Sequence, residues 1–312
     1  MSADNVAGSS DLRIGLVQMG CVDDVSKNLE KAEALVRLAA DKSAQVICLP
    51  ELFATKYFCQ TEDSAQFDFA EPVPGPTTEQ FSAVARELGV VLVVPVFERR
   101  AAGIYHNSAV VLDATGATCG IYRKMHIPDD PQFYEKYYFA PGDHGYLVFD
   151  TAFARISVLI CWDQWYPEAA RLAALRGAQV IFYPTAIGWT ANEAKLVRQQ
   201  QHEAWRTVQR SHSIANSVYV ASVNRVGNEA LDAEIDGLEF WGQSFVCSPT
   251  GTVLAEANGD VDEVLIADCD LAVIEEQRRS WPFLRDRRVD TYASLTERYI
   301  DPGTSRLGST KP

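Results

Sequence analysis

Apolar positions along the chain follow two spacings. Leu29, Ala32, Val36 and Ala39 recur every three or four residues and predict a helix over 24–41. Phe81, Val84 and Leu88 do the same over 77–88, where Thr77 and Gln80 form a candidate capping pair. A further helix should open at Pro167, and a long one should cover about 192–216. Short apolar runs bounded by turn residues predict strands at 13–17, 46–49 and 156–160. Others fall at 90–97, 107–113, 117–122, 145–150, 218–223, 244–248, 252–256 and 263–268.

Part of this pattern occurs twice. Leu35 to Glu51 reads LVRLAADKSAQVICLPE and Ala169 to Thr185 reads AARLAALRGAQVIFYPT, identical at nine of seventeen positions with an offset of 134. Each segment follows an apolar run opened by Arg-Ile, at Arg13 and at Arg155. A helix between two buried strands implies parallel pairing with helices on a sheet face, so the chain reads as two related α/β halves. In such sheets the chemistry collects beyond the carboxyl ends of strands. Glu51 stands there in the first half and Cys161 in the second.

Composition narrows the function. The 312 residues are 47% apolar and carry a net charge of −14, and no run of Lys and Arg exceeds two residues, so nucleic acid is not an expected partner. Residues 1–10 have neither a basic start nor an apolar core of a signal peptide. The longest apolar run, Val90 to Phe97, is too short to span a membrane. Seven widely spaced cysteines without a C-x-x-C read as free thiols in a reducing cytoplasm. The expected organisation is a disordered N-terminus over 1–10, a single domain over 11–292, and a tail over 293–312 available to an oligomer interface.

Several familiar catalysts lack their parts. There is no G-x-G-x-x-G or G-x-x-x-x-G-K-[ST] loop for a nucleotide, and Gly242-Gln243-Ser244 lacks the second glycine of a nucleophile elbow. The five histidines form no H-E-x-x-H, so neither a metal nor another cofactor is expected. What remains is Cys161 in LICWDQWYPEAAR, Glu51 in CLPELF and Lys124 in IYRKMHIP. A cysteine at the end of a buried strand is most often a small hydrophobe. A carboxylate that follows so apolar a strand, however, needs a partner or a proton.

The motifs PELF around Glu51, YRKMHIP around Lys124 and CWDQWYPE around Cys161 resemble, in this order, the three signatures of the nitrilase superfamily of carbon–nitrogen hydrolases. The likeness runs from Ile14 to about Tyr292. YEKYYFAPGD at 134–143 and YPTAIG at 183–188 are most similar to the branch that hydrolyses N-carbamoylputrescine. The resemblance implies a four-layer α-β-β-α sandwich and a Cys-Glu-Lys catalytic set of Cys161, Glu51 and Lys124. A second glutamate of the family falls on Glu135. It also implies a homo-oligomer assembled through C-terminal tails and helices like those at Pro167 and 192–216.

Elementary chemistry gives these residues roles. A free thiol is mostly protonated at neutral pH, so Glu51 would take its proton and Lys124 would stabilise the thiolate and the later oxyanion, with the backbone N–H of Trp162. Glu135 would orient Lys124 or bind the substrate nitrogen. A cationic carbamoyl substrate calls for a distal carboxylate, for which Asp130, Glu193, Asp129 and Asp163 are candidates, and for apolar walls, for which Trp162, Trp165 and Trp189 are candidates. Plant-like members of the branch carry an acid soon after AIG, whereas here Gly188-Trp189-Thr190 intervenes and the next acid is Glu193. Two alternatives stay open. One is an N-carbamoyl β-amino acid, whose carboxylate would want an arginine. The other is a non-catalytic binding or scaffold protein on the same fold.

Overall fold

The structure is a computed structural model and describes residues 11–231 and 236–301. The expected disordered stretch 1–10 and the end of the tail, 302–312, lie outside the described residues. Two six-stranded sheets form the centre. The first has the order Glu263–Asp270, Asp11–Gln18, Val46–Cys48, Val91–Ala101, Ile104–Leu112, Thr118–Arg123. The second has the order Val253–Glu256, Phe245–Cys247, Tyr219–Val223, Val180–Pro184, Arg155–Val158, Phe149–Asp150.

The two sheets share one plan. Each has three consecutive parallel strands with an antiparallel strand at one side and an antiparallel pair at the other. The sequence repeat has a physical reason at this level. Gln45 Oε1 accepts the Arg13 N–H and Gln179 Oε1 accepts the Arg155 N–H, both at 2.9 Å. The arginine side chains reach the carbonyls of Lys42 and Arg176 in turn. The repeated Arg-Ile and Ala-Gln-Val-Ile segments therefore stitch the first two parallel strands of each half together. Their connecting helices differ in length, 17 residues for Val25–Asp41 and 9 for Pro167–Leu175.

Strand alternation builds four layers. Leu12, Ile14, Leu16, Val46, Cys48, Val91 and Val93 join Ile156, Val158, Val180, Phe182 and Val220 in one buried cluster between the sheets. The opposite face of the first sheet, with Val17, Ile47, Leu92 and Val94, packs on Ala32, Val36, Ala39, Phe81 and Val84 of the helices Val25–Asp41 and Pro76–Leu88. On the second sheet, Pro167–Leu175 presents Ala169, Ala170, Ala173 and Ala174, small enough for close contact with the sheet and with the helix Lys195–Asn216. The fold class is thus the α-β-β-α sandwich expected from the resemblance.

Local differences have local causes. The helix expected over 77–88 starts one residue earlier, because Pro76 opens it. Thr78 Oγ1 accepts the Gly75 N–H at 2.8 Å, and Glu71 accepts the Thr77 N–H at 2.9 Å, so the Thr77/Gln80 pair is not the cap. The strand expected over 145–150 shrinks to Phe149–Asp150. A third sheet of Val226–Glu229, Leu238–Trp241 and Gly188–Thr190 was not legible, its strands being short and unevenly buried. Among the described residues no helix is long and apolar enough to cross a membrane, and the seven cysteines are unpaired.

Candidate active site

Glu51, Lys124 and Cys161 stand just beyond the strands Val46–Cys48, Thr118–Arg123 and Arg155–Val158, and their side chains converge there. All three are buried, as is Glu135 on the short helix Glu135–Tyr138. Lys124 Nζ donates to Glu51 Oε1 and to Glu135 Oε2, each at 2.7 Å. Asn107 Nδ2 donates to the same Glu51 oxygen at 2.7 Å, and the Tyr57 hydroxyl donates to Glu135 Oε1 at 2.8 Å. Glu51 Oε2 is buried without a hydrogen-bond partner. One oxygen of this carboxylate is committed to the cation; the other is free to exchange a proton.

Cys161 sits at a strained point. Its φ is +42°, in the left-handed region that a side chain with a Cβ rarely adopts, at the start of a single tight turn over Cys161–Trp165. Asp163 pins this turn. Its Oδ2 accepts the Ile160 N–H and the Tyr122 hydroxyl, and its Oδ1 accepts the His126 N–H and contacts His126 Nδ1 at 2.7 Å. Gln164 fixes the far side: its Oε1 accepts from Trp205 Nε1 and Gln209 Nε2, and its carbonyl meets His212 Nε2. The Asp163 N–H is the first in the turn to bond back, to Ile160, which leaves the Trp162 amide at its open end.

Electrostatics follow from burial. Desolvation alone would lower the Lys124 pKa, but Glu135 and Glu51 overcome it and hold the ammonium well above its usual value. Burial pushes the Cys161 thiol well up, Glu51 adds to this, and Lys124 only partly opposes it. The pull of Lys124 on the thiol is in the direction expected of a group that stabilises the thiolate once Glu51 has taken the proton. The sulfur faces two carboxylates and one ammonium, so it carries its proton until a base removes it. Burial raises Glu135 to about 7 against the pull of Lys124, with Glu51 adding to the rise.

A cavity of about 530 Å³ opens above the sulfur. Cys161 and Glu135 form its floor, while Trp162, Trp165, Trp241, Phe133 and Ile187 supply apolar wall. Asp130, which is exposed, and the half-buried Glu193 also line it. Glu193 Oε1 accepts from Gln201 Nε2 at 2.7 Å, and Oε2 is buried and unpartnered. None of the described residues lining the cavity is Lys, Arg or His.

Three expected contributors stand elsewhere. Trp189 does not line the cavity, because its indole donates to the Arg198 carbonyl and its face is covered by the Arg198 guanidinium at 5.2 Å. Asp163 spends both oxygens on the turn, and Asp129 is exposed outside the cavity wall. Tyr57 and Asn107 escaped the sequence reading. The available signal was the polar trio His106-Asn107-Ser108 running into the apolar end of the strand Ile104–Leu112.

A carbon-nitrogen hydrolase family profile matches residues 13–279. This chain belongs to the carbon–nitrogen hydrolase family. The N-carbamoylputrescine amidase of Solanum lycopersicum is 46% identical to it over 285 residues, covering 90% of this chain and 94% of that protein. The citrullinase of Francisella tularensis is 38% identical over 291 residues, covering 93% of this chain and all of its own length. A crystal structure of a carbon–nitrogen hydrolase from Helicobacter pylori superposes with a TM-score of 0.90 at 44% identity, over 93% of this chain and 100% of that one.

The pH behaviour of this carbon–nitrogen hydrolase gives a check on the buried charges. A carboxyl raised from 4.5 to about 7 takes up its proton at a higher pH in the folded state than in the unfolded one. Its contribution to stability is complete below the unfolded value and is lost as pH rises through the folded one. Glu135→Gln lacks this titration, so its melting temperature relative to the parent should improve between about pH 5 and about pH 8. Thermal scans giving the same difference at both pH values would show that Glu135 titrates normally.

Proposed function

We propose that this enzyme hydrolyses N-carbamoylputrescine to putrescine, carbon dioxide and ammonia, with Cys161 as nucleophile. The observation that carries the chemistry is the free, buried Glu51 Oε2 beside a protonated thiol, with the other oxygen tied to Lys124. Glu51 takes the thiol proton as sulfur bonds to the carbamoyl carbon, and the carbonyl oxygen gathers negative charge. The Lys124 ammonium and the Trp162 amide stabilise that charge. Glu51 returns the proton to the departing nitrogen as the C–N bond breaks, leaving a thiocarbamate on Cys161. It then deprotonates the water that cleaves the C–S bond, and the carbamic acid released decomposes to carbon dioxide and an amine. Glu135 holds Lys124 in line.

The substrate class rests on the cavity and on the relatives. The cationic amine of the substrate meets Glu193, whose free oxygen gains a partner on binding, with Asp130 adding negative charge to the same lining. The 38% identical citrullinase supports citrulline as a second reading. Citrulline and N-carbamoyl β-amino acids both carry a carboxylate, however, and the lining offers it no cation. A silent scaffold would have no use for this buried charge set, which costs stability.

Surface composition supports a homo-oligomer. Beyond the helix Ala272–Ser280, the segment through Ile300 exposes Trp281, Phe283, Val289, Tyr292, Leu295 and Tyr299, more apolar surface than a solitary chain tends to leave in water. Its partner is a second copy of this chain, and the unpaired thiols fit a reducing cytoplasm.

Three outcomes are expected. Cys161→Ala should abolish ammonia release from N-carbamoylputrescine; release at the parental rate would remove the nucleophile. Glu193→Gln should raise KM for this substrate by roughly tenfold or more while kcat changes little, given the usual worth of a charged hydrogen bond. An unchanged KM would send the amine elsewhere. Light scattering should return at least a dimer mass, and a monomer at micromolar concentration would rule the assembly out.

A further inference from the structure

Arg225 and Glu229 form an ion pair that is buried, lines no part of the cavity and touches none of the reacting groups through its own side chains. Burying such a pair is not by itself stabilising, because desolvation offsets the attraction. Where its bonds go is more telling. The Arg225 Nη1 atom donates to both Glu229 oxygens, at 2.9 and 2.8 Å. Arg225 Nε donates to the carbonyl of Glu51 at 3.0 Å, and Nη2 donates to the carbonyls of Thr55, at 3.0 Å, and Leu52. All the donor nitrogens of the guanidinium are thereby used, three carbonyls of one loop converging on it.

That loop is the one that carries the base. Leu52 has φ +51°, so the chain bends through a conformation that an apolar side chain disfavours just after Glu51. Without a cation, the three carbonyls would repel and the bend would relax. Glu229 works on the other end of the segment: its Oε2 accepts the Tyr57 N–H at 2.7 Å. Tyr57 is the residue whose hydroxyl bonds to Glu135. One ion pair, contributed by the strand Val226–Glu229 and the residue before it, thus anchors the backbone beneath both carboxylates that flank Lys124.

We propose that Arg225 and Glu229 are positioning residues that set the geometry of Glu51 and, through Tyr57, of Glu135, and that they govern turnover rather than substrate affinity. The inference rests on Glu51 being the proton-transfer group. A displacement of the base by about 1 Å can cost around a hundredfold in rate. Lysine retains the charge of Arg225 but offers three donors from a single point, and it cannot bridge the carboxylate and three carbonyls.

The test is steady-state kinetics of Arg225→Lys on N-carbamoylputrescine across pH, with circular dichroism as the folding check. The expected result is kcat lowered by about tenfold or more, KM within about threefold, and the acid limb of kcat/KM displaced. Should this variant not fold, the double variant Arg225→Met, Glu229→Met removes both charges together and is read in the same way. A folded variant with kcat within about twofold of the parent overturns the proposal. So does a loss of rate matched by fewer titratable sites with an unmoved pH limb. Glu51→Gln separates the two levels. If it remains active the base assignment itself fails, whereas an inactive Glu51→Gln beside an unimpaired Arg225→Lys refutes only the positioning role.

Discussion

A buried ammonium shared by two carboxylates is the constraint on which this active site depends. Lys124 is fully buried, so Glu51 and Glu135 must stay within hydrogen-bond reach, and removing any member of such a set costs about 3–5 kcal/mol. The surrounding residues keep that arrangement in place. Asn107 neutralises the remaining directional demand of the shared Glu51 oxygen, and Tyr57 does so for Glu135. One Glu51 oxygen is thus committed, and the other is buried without a partner. Burial and the two carboxylates push the Cys161 thiol well up, and Lys124 opposes them.

The architecture delivers these groups by repetition. Two sheets of the same plan abut through their inner faces, and the carboxyl ends of their strands place Glu51 and Lys124 from one half against Cys161 from the other. The cavity that Cys161 lines, largely apolar and with Asp130 and Glu193 in its wall, suits a short chain that ends in a cation.

How much of this was legible depends on how local the signal is. Glu51 and Cys161 could be read because each directly follows an apolar strand, and the duplicated segments announced the two halves before any fold was known. Lys124 stood out among aromatic and apolar neighbours. Glu135 was reachable only through resemblance, since a tyrosine-rich loop gives no sign that its acid turns inward. Arg225 and Glu229 left no trace at all. Arg225 lies 174 residues from the Glu51 carbonyl it binds, and nothing local distinguishes it from a surface arginine. Trp189 and Asp163 misled for a related reason: their types suit a binding wall and a cation site, but their hydrogen bonds are spent on the scaffold.

The proposed hydrolysis turns on a covalent bond between the Cys161 sulfur and the carbamoyl carbon. Mass spectrometry of the protein acid-quenched during turnover of N-carbamoylputrescine tests this most directly. A thiocarbamate on the peptide that contains Cys161, disappearing once substrate is exhausted, is the predicted result. An adduct on another cysteine, or continued turnover with every thiol unmodified, would contradict it.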